Sequence, residues 1–266
     1  MTANRFVRLL AASGIAVCLI AGCASGPGAV VPDEPPASAD QTDSQRRARI
    51  RLQLAVGYYE QRQMNVALDE IRQALAADPN FADAYSMRAL IYMDMGENKL
   101  AEENFLQSIR LSPNTPDFNN NYGWFLCQNG REKESINYFE AALKSRAYQS
   151  PAKALHNAGI CSLKLKNRAA AERYLSQAFQ YDPANPSTNT NLARIYFDQA
   201  DYERARFYIS RVVKADVLTA DVLWLAIKIE RKLGDRAAET SLATQLRRRH
   251  GGSAEFAAYQ RGAFDE

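Results

Sequence analysis

The chain has 266 residues, 47% of them hydrophobic and 24% charged, with 33 Lys and Arg against 30 Asp and Glu. Residues 1–22 contribute Arg5 and Arg8 and no acid, so the remainder is close to neutral. Such a surface is a poor counter-ion for a polyphosphate, which excludes nucleic acid as an expected partner.

In chain order, Arg5 and Arg8 form a basic start, and Leu9 to Ala21 follows as an uncharged, apolar stretch too short for an ordinary membrane span. It ends in Leu19-Ile20-Ala21-Gly22-Cys23. This resembles the bacterial lipobox, in which the Cys thiol accepts a diacylglyceryl group and a peptidase then cuts before it. The competing reading is an ordinary secretory signal that happens to contain Cys. The lipobox makes residues 1–22 a lipoprotein signal peptide and Cys23 the lipidated first residue of the mature chain. Several acyl chains, at ~0.8 kcal/mol per buried CH₂, make a durable anchor. Ala24 rather than Asp after Cys23 implies sorting to the outer membrane, with the body on the periplasmic face, where disulfides persist. The lipid on Cys23 is the only non-protein group expected, and no cofactor is. Residues 23–45 continue as a Pro-, Ala-, Ser- and Asp-rich stretch that cannot bury a core and reads as a flexible tether.

Beyond Ser44, apolar residues recur at helical spacing to the C-terminus. Aligning blocks on their central residue gives Ala55, Ala89, Gly123, Gly159, Ala193 and Ile227, at steps of 34, 34, 36, 34 and 34. Twelve residues further stand Ala67, Ala101, Ser135, Ala171, Ala205 and Glu239; sixteen further stand Ile71, Phe105, Phe139, Leu175, Ile209 and Ala243. Pro79, Pro113 and Pro183 close the frame. A fixed 34-residue period with this small–small–large code is the tetratricopeptide signature. Small residues let helices A and B of each repeat cross closely, and large ones fill the space between repeats. The expected fold is all-α, a right-handed superhelical solenoid of six helix-turn-helix repeats. The units span about 48–81, 82–115, 116–151, 152–185, 186–219 and 220–250, inside a domain of residues 46–252, with residues 253–266 as a C-terminal cap or tail in which Ser253–Phe264 forms a helix. The third unit carries two extra residues near KSRAYQSP, and Glu230 and Glu239 give the sixth the polar outer face of a terminal cap.

On such a scaffold the A helices line the concave face. Val56, Leu90, Trp124 and Ile160 at one inner position, and Tyr59, Met93, Cys127 and Leu163 at another, form an apolar stripe; in the last two repeats Arg194, Lys228 and Arg231 turn it basic. The stripe reads as a protein-binding groove centred on Trp124, or else as side chains that bury against one another. Asn121, Asn157 and Asn191 share a third position, from which they can clamp a peptide backbone or bond to neighbouring helices. Cys127 and Cys161 lie on adjacent A helices, where a disulfide is geometrically allowed; the alternative is two separate buried thiols. Two histidines, His156 and His250, are too few for a His-rich metal site, and no phosphate loop, CxxC, HExxH or Ser/His/Asp order is present. No catalytic residue, metal or small-molecule substrate is therefore expected, and Glu102, Glu103, Glu132 and Glu134 read as solvated surface.

The stretches NNYGWFLC, YQSP and NAGIC, together with the lipobox, the tether and six repeats, resemble the PilF/PilW family of type IV pilus biogenesis lipoproteins. The resemblance implies a pilotin, which binds the secretin subunit and promotes its localisation and multimerisation in the outer membrane. The alternatives are a periplasmic lipoprotein adaptor for cell-wall enzymes or other envelope complexes, and a regulatory module of an enzyme.

Overall fold

Thr42 opens the first helix. Its side chain accepts a hydrogen bond from the Gln45 backbone, while its own N–H donates to Gln45 Oε1 at 3.0 Å, a capping box at the start of α1 (Asp43–Glu60). The helical body therefore begins at 42, not 46: the last residues assigned to the tether are a helix cap and first turn. The computed structural model describes residues 42–265, and among them it holds thirteen helices and no strand. The signal peptide, Cys23 and the tether up to Gln41 lie outside the described residues.

Each repeat is an antiparallel pair. Helix α1 packs on α2 (Met64–Ala77), α3 (Ala82–Asp94) on α4 (Asn98–Leu111), α5 (Pro116–Gln128) on α6 (Glu132–Leu143). Next come α7 (Pro151–Lys164) on α8 (Arg168–Tyr181), α9 (Pro186–Asp198) on α10 (Tyr202–Lys214), and α11 (Ala220–Leu233) on α12 (Arg236–His250). A final helix, α13 (Ala254–Arg261), lies against α11 and α12. Pro116, Pro151 and Pro186 open α5, α7 and α9, where a missing N–H costs nothing. Successive A helices pack closely on one another in every case but α7 and α9, whereas successive B helices show no comparable contact, which puts the A helices on the inner side of the curve.

The size code explains the crossings. A Cβ added to Gly159 would lie 2.5 Å from Leu175 Cγ, and one on Gly123 would lie 2.9 Å from Phe139 Cε1. In the sixth repeat the sizes are exchanged: Ile227 stands at the small position and Ala243 at the large one, and both are buried. The turns between A and B share a feature that the side chains hide. Arg62, Gly96, Gly130, Lys166, Ala200 and Gly234, spaced by the same period, all adopt positive φ between 58° and 78°.

Two details depart from the sequence reading. The longer connection after α6 is pinned by Tyr148, buried with Ala142 and Ala154, whose hydroxyl finds no acceptor among the described residues. Glu239 is not on a polar outer face: it is buried and receives Arg231 at 2.9 Å and Arg236 at 3.2 Å, and Glu230 is bound by Arg206 at 2.8 Å. A carboxylate at a position other repeats give to Ala or Ser is tolerated there because two guanidinium groups offset its burial.

Candidate functional site

The inner face can now be followed residue by residue. At its N-terminal end Val56 is 37% exposed. Tyr59 and Leu90 are half-buried, both packing on the core of the first two repeats, and Met93 packs with Leu90 on the next. The Tyr59 hydroxyl donates to Asp94 Oδ2 at 2.8 Å across the repeat boundary, and burial, reinforced by this bond, pushes its pKa up to about 12. Trp124 is half-buried against the cluster that contains Phe139 and Leu155. Ile160 and Leu163 continue the stripe, half-buried. The stripe is thus a shallow apolar track whose side chains rest on the core and show one face to solvent.

Cys127 does not belong to this track. It is wholly buried and bonded to Cys161, with 5.9 Å between the Cα atoms, so that α5 and α7 are covalently joined. The three asparagines are not equivalent either. Asn157 is 9% exposed and donates from Nδ2 to Asn120 Oδ1 at 3.0 Å. Asn121 contacts Ser86 Oγ at 3.5 Å and accepts from Asn120, and Asn191 donates to the Ser187 carbonyl of its own helix at 2.8 Å. Each of the three amide groups donates one hydrogen bond within the solenoid, which orients the side chain and leaves its second N–H uncommitted. Asn120, which sequence reasoning passed over, is the fully buried hub of this network.

Beyond Leu163 the face changes character. Arg194 lies 3.7 Å from Asp221, Lys228 sits over the rings of Phe197 and Trp224, and Arg231 stacks on Phe264 at 3.9 Å under the C-terminal cap. Burial, and after it the nearby Arg194 charge, holds the Lys228 pKa below the ordinary lysine range. Both histidines have structural partners: His156 Nδ1 is 2.9 Å from Thr188 Oγ1, and His250 Nε2 donates to the Leu218 carbonyl at 2.6 Å. Of the carboxylates expected on the surface, Glu103 is exposed, but Glu102 and Glu134 are tied to Arg131 at 2.5 and 2.8 Å. Glu102 also accepts the Tyr122 hydroxyl at 2.8 Å. Burial alone would raise the Glu102 pKa, but the hydrogen bonds from Arg131 and Tyr122 outweigh it and hold the carboxyl below its usual range.

Comparison with known proteins places this arrangement. Residues 86–151 and 162–225 each match a tetratricopeptide repeat model. The type IV pilus assembly protein PilF of Pseudomonas aeruginosa is 28% identical over 98% of this chain and 99% of its own length. The crystal structure of PilW, described as a widely conserved type IV pilus biogenesis factor, is 34% identical with a TM-score of 0.72, covering 80% of this chain and 98% of that one. The structure of Pseudomonas aeruginosa PilF gives a TM-score of 0.79 at 26% identity, covering 83% of this chain and all of that one.

Proposed function

The chain belongs to the tetratricopeptide-repeat family of the type IV pilus biogenesis factors PilW and PilF, and from that premise we propose that it is a pilotin. In this reading it works by binding and not by catalysis. Acyl chains on Cys23 hold it at the outer membrane, and its concave face captures a segment of the secretin subunit and promotes assembly of the secretin ring. Confinement to one membrane raises the local concentration of captured subunits, which favours their association with no new contact between them.

The observation that supports this reading best is the apolar track from the exposed Val56 through the half-buried Leu90 and Trp124 to Leu163, on the inner side of the array, whose third and fourth repeats are joined by the Cys127–Cys161 bond. Side chains that rest on a rigid core and show one face to solvent are pre-organised to receive a partner, which lowers the ordering cost of binding.

Deleting the gene should leave the secretin monomeric and abolish pilus extension. Complementation with Val56→Ser combined with Trp124→Ala should restore a folded, membrane-bound protein that captures the subunit poorly. Complementation with Cys23→Ala should give a folded protein released from the membrane, with secretin multimers reduced. Intact multimers in the deletion strain would overturn the reading.

A further inference from the structure

Helices α7 and α9 approach each other less closely than the other successive inner helices. Between them the inner face opens into a cleft of about 560 Å³. Its floor is apolar, made of Ile195, 3% exposed, and the half-buried Leu163. Its rim is basic: Lys166 from the turn before α8, Arg168 from the first turn of α8, and Arg194 from α9. Asp198 is the single acid among the lining residues, and Arg168 already holds it at 2.9 Å.

Lys228 stands beside Arg194 along the same face. Its ammonium lies 5.3 Å from the centre of the Phe197 ring and 5.6 Å from that of Trp224, and no carboxylate of the described residues comes within ion-pair distance. The inner-face cations further along are already matched, Arg231 by Glu239 and Lys232 by Asp265. At the cleft Arg168 is paired with Asp198 and Arg194 lies 3.7 Å from Asp221, but Lys166 and Lys228 have no ion pair among the described residues, so net positive charge remains next to apolar surface. A half-buried cation beside a second cation is unfavourable alone and is relieved when a carboxylate arrives.

We propose that this cleft is a second partner site, distinct from the apolar track, that takes an extended peptide segment bearing a carboxylate side chain next to a large apolar one. The apolar side chain rests on Leu163 and Ile195, and the carboxylate reaches Arg194 and Lys228. Charge complementarity of this kind speeds encounter and rejects neutral or basic segments. The proposal rests on reading the concave face as protein-binding, but not on the partner being a secretin.

The test uses the purified full chain and three short fluorescent peptides of one sequence, in which Leu and Phe alternate with Glu, with Gln or with Lys. The Glu peptide should bind about tenfold or more tightly than the Gln peptide, a margin set by charge-assisted hydrogen bonding, and the Lys peptide should be rejected. Arg194→Gln with Lys228→Gln should remove the preference, whereas Arg194→Lys with Lys228→Arg, and separately Trp124→Ala, should keep it. Equal affinity for the Glu and Gln peptides, absence of binding, or a preference that survives the double Gln substitution would overturn the proposal. So would charge-dependent binding to vesicles of phosphatidylcholine and phosphatidylglycerol without binding to the Glu peptide, which would assign the cations to lipid headgroups. Intact secretin multimers in the deletion strain would sink the pilotin reading and leave this cleft standing.

Discussion

Cys127 of α5 and Cys161 of α7 are bonded across the boundary between the third and fourth repeats, 34 residues apart and both wholly buried. Closing a loop of that length removes unfolded-state entropy equivalent to about 3–4 kcal/mol. Replacing both with Ala should lower the urea midpoint by a matching amount, with little change in helix content at low denaturant. Thiol titration of the unfolded chain should find this pair unreactive before reduction and fully reactive after it; two free thiols from the outset would contradict the bond.

The helix crossings give a pair of opposed expectations. Gly159→Ala forces a methyl group against Leu175 and should destabilise by about 1–3 kcal/mol, as overpacking does. Gly57, in the last turns of α1, has nothing within 4 Å of the site of its missing Cβ. Gly57→Ala should stabilise by about 0.5–1 kcal/mol through helix propensity. Thermal melts of the two variants, side by side, check both signs.

Ala200 occupies the left-handed turn position with φ 60°, where three other repeats place Gly. An L-residue there costs about 1–2 kcal/mol, and Gly surrenders about 0.5–1 kcal/mol of that gain to its own chain entropy. Ala200→Gly should therefore raise the melting temperature slightly. A fall would show that the turn is held without strain.

The Tyr122–Glu102–Arg131 network predicts a specific pH dependence. The folded pKa of Glu102 is depressed, so its contribution is complete above the unfolded carboxylate value of ~4.3 and is lost as pH falls through the lower folded value. Glu102→Gln lacks that ionisation. The stability gap between wild type and Glu102→Gln should be widest near neutrality and narrow progressively below pH ~4. A gap that stays constant with pH would mean that packing, not charge, is what the substitution removes.

The architecture was legible because tetratricopeptide packing is a constraint on side-chain size, written into the sequence six times. Gly123 against Phe139 and Gly159 against Leu175 can be read from spacing alone. The turn conformation could not be read, since Arg62, Lys166 and Ala200 adopt it as well as the glycines: the helix pair dictates the backbone, and a non-glycine residue there bears the strain. Charges misled in a particular way. Glu239, Glu230 and Glu102 look like surface until their arginines, brought in from 8, 24 and 29 residues away, are in place. The inner-face positions were found correctly, but what each one presents depends on the neighbouring repeat. That neighbour turns Cys127 into a bond and Asn157 towards Asn120. The basic cleft escaped because two of its three rim cations, Lys166 and Arg168, come from the α7–α8 turn and the start of α8 and not from the inner helix pattern.

The bond between α5 and α7 also governs how the molecule fails under load. A linear array held by neighbour contacts unravels from its ends, one unit at a time. Here such unravelling from either side runs into a covalent stop near the middle. The outer repeats can peel away and close again while the third and fourth stay threaded in place, so a pull on one end that stops short of breaking the stop leaves a template on which the rest can rewind.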